Sequence, residues 1–216
     1  MSDPKTIAER TVGGVGHLTI RPFAGGNDIA AAHRWLTAPH ATFWGMQANR
    51  EADTKDYFTA INKSATHEAW MGHLDGEPYF LAEVYAPDAD AIGDYYPVDA
   101  GDIGMHLLIA PPEQYIHGLT WAVFTLVVDT LFAREDVTRI VVEPDVENSG
   151  IHVFNERAGF VYERQIAMRD KTAWLATCSR AGHRCAMAEL SPVYAALAGR
   201  RAGSAATHAA TSEVSQ

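Results

Sequence analysis

Apolar and polar positions alternate over His17 to Phe23 (HLTIRPF) and predict a strand, broken by Gly25, Gly26 and Asn27. Asp28 to Leu36 then follows a helical period and stops before Pro39, and a second helix is predicted over Asp53 to Asn62. Two alternating runs, His67–Leu74 and Tyr79–Tyr85, flank Asp75-Gly76, a pair that predicts a hairpin turn. The acidic stretch 86–101 predicts a loop over a site or at an edge, and Asp102–Ala110 a further strand closed by Pro111-Pro112. Ile116, Leu119, Thr120, Val123, Phe124, Val127, Val128, Leu131 and Phe132 keep i, i+3, i+4, i+7 spacing and predict a long apolar helix. Arg139–Glu143 (RIVVE) reads as a central strand, and Asn148–Ala158 as a helix closed by Gly159. Two last strands are predicted over Phe160–Arg169 and Thr172–Thr177.

Strands interleaved with helices predict a single-domain α/β fold, a central mixed sheet with helices on both faces. Residues 1–14 predict a flexible leader and residues 15–180 the domain. Residues 181–216 are an Ala-rich extension, expected to be helical near Met187–Leu197 and disordered beyond about residue 200.

Composition narrows the function. The 216 residues are 47% hydrophobic and 20% charged, enough for a core without disulfides or a structural metal. Seventeen Lys and Arg against 27 Asp and Glu give a formal charge of −10, which disfavours binding to nucleic acid or to an anionic membrane. Cys178 and Cys185 make no disulfide framework and read as inert thiols, and the ten scattered histidines predict no metal. With neither a signal-type leader nor an 18-residue apolar run, the expected location is cytoplasmic.

Few residues carry chemistry in the right setting. The loop into the helix at Gly118 offers free backbone N–H groups to an anion, a pyrophosphate for example. His106 lies on an apolar strand between Met105 and Leu107; it is either a core histidine bonded to a carbonyl or a base for proton transfer. Asp145 reads as an Asx turn or as a site carboxylate, and Asn148 as a helix cap or a ligand contact. His40, Trp44, Tyr79, Tyr85, Tyr95 and Tyr96 are candidates for an aromatic acceptor pocket, with Glu83 placed to pair with an amine. Arg21, Arg34 and Arg50 are candidate carboxylate anchors.

A strand ending in Glu143-Pro144-Asp145, Asn148 opening a helix, and a closing Ala158-Gly159-Phe160 resemble the acyl-CoA-binding half of the GNAT acyltransferase superfamily. Trp44 after Pro39-His40, Tyr79 to Tyr85, Tyr95-Tyr96 and Asp102-Ile103-Gly104-Met105-His106 extend the match to its siderophore-biosynthesis branch, over residues 17–178. The resemblance implies a GNAT fold and transfer of an acyl group, most simply acetyl, from CoA. The acceptor it implies is the side-chain amine or N-hydroxyamine of a lysine- or ornithine-type molecule, giving a siderophore hydroxamate. It implies His106 as general base and Asp145 as its orienter or as a holder of the substrate amine. It also implies a donor site formed by Leu107, Leu108, Ile109, His117, Gly118, Leu119, Thr120, Asn148 and Asn155. The chain departs from the superfamily's pyrophosphate loop at Tyr115 and Thr120, where a basic or amide residue and a second small residue are usual. Two rivals follow from the same residues: acetylation of an antibiotic or other small amine, and a CoA-binding module without catalysis.

Overall fold

The computed structural model describes residues 5–111 and 115–190. Eight strands form one sheet in the order β1-β2-β3-β4-β5-β6-β8-β7: β1 (Ala8–Val12), β2 (Gly16–Pro22), β3 (His67–Leu74), β4 (Glu77–Tyr85), β5 (Asp102–Ile109), β6 (Arg139–Val142), β7 (Val161–Ala167) and β8 (Thr172–Ser179). Only β5 and β6 run parallel; the other neighbours are antiparallel. Helices α1 (Asn27–Leu36) and α2 (Glu51–Ile61) cover one face, where Trp35, Leu36 and Phe58 bury against Met71, Leu81 and Leu108. Helices α3 (Leu119–Phe132) and α4 (Ser149–Ala158) cover the other, on a larger core that includes Leu18, Phe80, Val84, Met105 and Ile140. This is the mixed sheet with helices on both faces that the interleaved pattern predicts.

The hairpin forms at Asp75-Gly76, where both residues take positive φ (51° and 91°), the two-residue turn matched to sheet twist. Gly159 ends α4 with φ 96°. The leader expectation is corrected: residues 8–12 are β1, paired residue for residue with β2. Their own pattern is weak, and pairing with the preformed edge of β2 supplies the order. The extension also differs, since a helix over 180–190 (α5) starts directly after β8 instead of near Met187. Its His183 is 3% exposed; Nδ1 faces the Ala158 carbonyl at 2.7 Å and Nε2 faces Asp129 at 2.9 Å, with Arg10 of β1 on the same carboxylate at 2.6 Å. Residues 1–4 of the leader, Pro112, residues 191–197 of the expected helix and the tail beyond 200 lie outside the described residues.

Two details of the sheet position the site. Gly104 of β5 lies against the Tyr85 ring so closely that a Cβ there would stand 2.1 Å from it. Parallel pairing of β5 with β6 covers only Asp102↔Arg139, Ile103↔Ile140 and Gly104↔Val141, whereas β4 follows β5 as far as Ile109. At the first of those pairs the Arg139 guanidinium grips the Asp102 carboxylate through two bonds, 2.7 and 2.6 Å. Beyond Gly104 the two strands part.

Candidate active site

The parting of β5 and β6 opens a cavity of about 890 Å³, bordered by Met105 to Leu108 of β5, by Phe124 of α3 and by Asn148, Ile151 and Asn155 of α4. The 310 turn Pro39–Trp44 and Tyr57 of α2 close it from the opposite side.

Three side chains make a row across adjacent strands. Glu83 on β4 is registered with His106 on β5, and continuing the β5–β6 register two steps past Gly104↔Val141 sets Glu143 beside the same histidine. His106 Nε2 lies 2.7 Å from Glu143 Oε1, and Nδ1 lies 3.6 Å from Glu83 Oε2. Tyr57 donates its hydroxyl to Glu83 Oε2 at 2.9 Å, and Tyr85 donates to Glu143 Oε2 at 2.8 Å. Lys171, in the β7–β8 turn, donates to the Glu143 backbone carbonyl at 2.8 Å and stands 3.4 Å from Oε1. Trp44 meets the His106 ring edge-on at 5.8 Å.

The electrostatics follow from this row. Burial alone would favour neutral His106, but the charge and hydrogen bond of Glu143, joined by Glu83, push its pKa up to about 10. Burial would likewise raise Glu143; the charge and hydrogen bond of His106, with Lys171 and the Tyr85 hydroxyl, instead hold it well below the usual carboxylate range. Burial and neighbouring carboxylates drive Tyr57 and Tyr85 far above the ordinary phenol, so both stay protonated.

Asp145 borders the cavity, but its carboxylate accepts the Glu147 N–H at 2.8 Å in an Asx turn; the carboxylates on the imidazole are Glu143 and Glu83. Asn148 makes no side-chain cap bond and borders the cavity. Asn155, 1% exposed, donates to the Tyr162 hydroxyl at 2.9 Å and leaves Oδ1 without a partner among the described residues. His40 borders the cavity and bonds the Ile109 carbonyl at 3.0 Å.

The remaining aromatics divide. Tyr85 supports the row from beneath. Tyr79 packs against the α3–α4 core, and Tyr96 donates to Asp102 at 3.1 Å within a separate cluster that Tyr95 flanks. None of these three borders the cavity, and neither do Arg21, held by Asp28, Arg50, held by Asp53, or Arg34. The cavity's lysine is Lys171. Glu143, Tyr57 and Lys171 are the site residues that sequence reasoning missed. Strand register is the signal that finds Glu143; Tyr57 and Lys171 arrive from an outer helix and a turn with no local mark.

The open edge suits a thin chain bearing amides, because β5 past Gly104 has no β6 partner and Met105 to Leu108 line the cavity, which Ile109 does not border. Gly118 takes φ 82° ahead of α3, so His117, Gly118, Leu119 and Thr120 form a helix start. Tyr115 and Thr120 are both exposed there. Among the described residues no cluster of three or more His, Cys, Asp or Glu suits a metal ion, and no helix is long and apolar enough to cross a membrane. Cys178 is buried, which pushes its thiol up to about 12, and neither cysteine borders the cavity.

A family model described as an acetyltransferase (GNAT) domain matches residues 26–168. The chain belongs to the GNAT acetyltransferase family. It is an acyl-CoA-dependent N-acetyltransferase of the GNAT type, with acetyl-CoA or another acyl-CoA as its co-substrate. This GNAT chain is 28% identical over 144 residues to an aminoglycoside N(6')-acetyltransferase type 1 of Klebsiella pneumoniae, covering 64% of the chain and 71% of the relative. It is 24% identical over 149 residues to the N5-hydroxyornithine acetylase sidL of Beauveria bassiana, covering 67% of the chain and 27% of that protein. Among solved structures, an uncharacterized protein from Bacillus halodurans superposes with TM-score 0.77 at 24% identity, over 86% of this chain and 95% of the other. The aminoglycoside acetyltransferase AAC(6')-Ib with coenzyme A and kanamycin gives 0.67 at 23% identity, over 76% and 96%.

Proposed function

We propose that this GNAT enzyme acylates the side-chain nitrogen of a lysine- or ornithine-type acceptor, in a sequence of reactions leading to a siderophore hydroxamate. The observation that carries the reading is the Glu83–His106–Glu143 row beside the open edge of β5. It brings a proton-handling imidazole to the place where an acyl donor lying along β5 meets an acceptor entering past Trp44 and Tyr57. Thioester aminolysis needs a nitrogen relieved of its proton, and His106 is the group within reach. Asp145 borders the same chamber and holds the polar end of the acceptor. Leu107, Leu108 and the helix start at 117–120 bind the donor, with Asn148 and Asn155 along its arm. Attack is direct, in a ternary complex.

A second reading, acetylation of an aminoglycoside or similar polyamine, is supported by the Klebsiella relative and by the cavity's carboxylates Glu83, Glu143, Asp145 and Asp170. Free-thiol release from acetyl-CoA against lysine, ornithine, their N-hydroxy forms and kanamycin tests both. Turnover confined to the amino-acid series supports the first reading, and turnover with kanamycin alone replaces it with the second.

A further inference from the structure

The resting row contains a contradiction that one kind of ligand resolves. His106 turns both ring nitrogens toward carboxylates, Nε2 to Glu143 at 2.7 Å and Nδ1 to Glu83 at 3.6 Å. A neutral imidazole carries one N–H and one lone pair, and a lone pair aimed at a carboxylate is repelled, so this arrangement favours the imidazolium. An imidazolium has no lone pair with which to take a proton. Meanwhile Glu83 is 1% exposed and borders the cavity, yet its Oε1 has no hydrogen-bond partner among the described residues. A buried, unmet carboxylate oxygen is unfavourable until a donor reaches it.

We propose that Glu83 Oε1 seats the acceptor's reacting nitrogen as a primary ammonium, and that its arrival expels the proton His106 holds between Glu83 and Glu143. The inference rests on the N-acyltransferase reading and deepens it: the acceptor enters as an unhydroxylated amine, already charged. Every group facing the imidazole bears on the argument. Glu83 and the Tyr85 hydroxyl (3.4 Å) come from β4, Glu143 from the end of β6, and the uncharged Trp44 ring from the 310 turn. Lys171 acts from the β7–β8 turn through Glu143, and Tyr57 from α2 through Glu83. Lys171 already takes part of the charge of Glu143. An ammonium on Glu83 therefore joins Lys171 and the imidazolium on the Glu83–Glu143 pair, and the ring proton is the one free to depart to solvent.

The shorter contact to Glu143 keeps the proton on Nε2 and bares Nδ1 toward Glu83, beside the incoming nitrogen. Nδ1 then removes one ammonium proton, and the freed electron pair forms the N–C bond to the thioester carbonyl. The C–S bond breaks with its pair on sulfur, and the second proton lost by the nitrogen passes to that sulfur. The amide, the free thiol and the restored imidazolium balance the proton released to solvent on binding.

Isothermal titration of L-lysine, L-ornithine and kanamycin into the protein saturated with CoA, in buffers of different ionisation enthalpy near neutral pH, counts that proton without any acyl transfer. The wild type is expected to release close to one proton per amine bound. Glu83→Gln, which keeps the acceptor for the Tyr57 hydroxyl, is expected to bind the amine about tenfold more weakly and to release none. His106→Gln is expected to retain amine binding and lose the release, so the conclusion survives if Glu83→Gln fails to fold. Amine binding to the wild type without proton release, or release that persists in His106→Gln, overturns the proposal while leaving the acetyltransferase reading intact. No amine binding, together with no thiol release from acetyl-CoA, overturns both.

Discussion

Glu143→Gln isolates the charge that loads His106 with its proton. The substitution keeps the size of a side chain that is 5% exposed, and it keeps an oxygen for the Tyr85 hydroxyl. A unit charge about 4 Å from the ring contributes about 4 kcal/mol at an effective dielectric of ~20. The His106 side chain is 36% exposed to the cavity, so solvent screens this interaction. A working value of ~1–3 kcal/mol remains, equivalent to about one to two pKa units. The acid limb of kcat/KM, followed as thiol release across pH, should therefore move down by about one to two units in the variant. The same carboxylate stabilises the imidazolium as it forms during attack, so kcat on the plateau should fall about 10–100-fold. Acetyl-CoA affinity, measured separately, should not change. A limb that stays at the wild-type position, or moves up, would refute the assignment of Glu143 as the charge governing His106.

The other expectations concern the base, the support beneath it and the far end of the fold. His106→Ala should lower kcat by roughly 10²–10⁴ with CoA affinity intact, and an unchanged kcat would make His106 a packing residue. Gly104→Ala puts a Cβ 2.1 Å from the Tyr85 ring; chemical unfolding should show a loss of about 1–3 kcal/mol. Its activity should fall beyond the loss of folded protein, because Tyr85 is displaced from Glu143. His183 is raised above its ordinary value: burial opposes the charge, but the Asp129 bond and the Ala158 carbonyl outweigh it. Its contribution is therefore complete below the unfolded-state value of 6.5 and fades as pH rises through the folded value. Unfolding of His183→Phe against the wild type should show its largest deficit on the acid side of neutrality.

What could be read from the sequence was what local chemistry dictates. The Asp75-Gly76 turn, the apolar period of α3 and the Gly159 stop of α4 are decided within a few residues, and each stands where the pattern sets it. β1 was not legible because AERTV carries little strand signal of its own and takes its order from β2. Gly182 and two arginines similarly obscured α5, which is fastened by His183 and by the Arg180 bonds to the Phe132 and Val137 carbonyls. Within the site, His106, Glu83 and Trp44 could be named from residue type and setting. The partnership of His106 with Glu143 could not, because Glu143 and Asp145 share an alternation phase and only the register of β5 on β6 chooses between them.

That choice is made some distance from the cavity. A slip of β6 by a single residue would turn its apolar side chains to the wrong face and is strongly disfavoured. A slip by two would preserve the alternation, but it would set Glu143 or Arg139 opposite Gly104 in place of the buried Val141 and present a different side chain to the imidazole. Alternation alone is blind to that error. Arg139 is not, since its paired bonds to the fully buried Asp102 carboxylate form only in the correct alignment. The ion pair thus serves as an index mark for assembly. Its loss would divide the refolded protein into competent and dead molecules, and active-site titration would count fewer working centres, each turning over at the native rate.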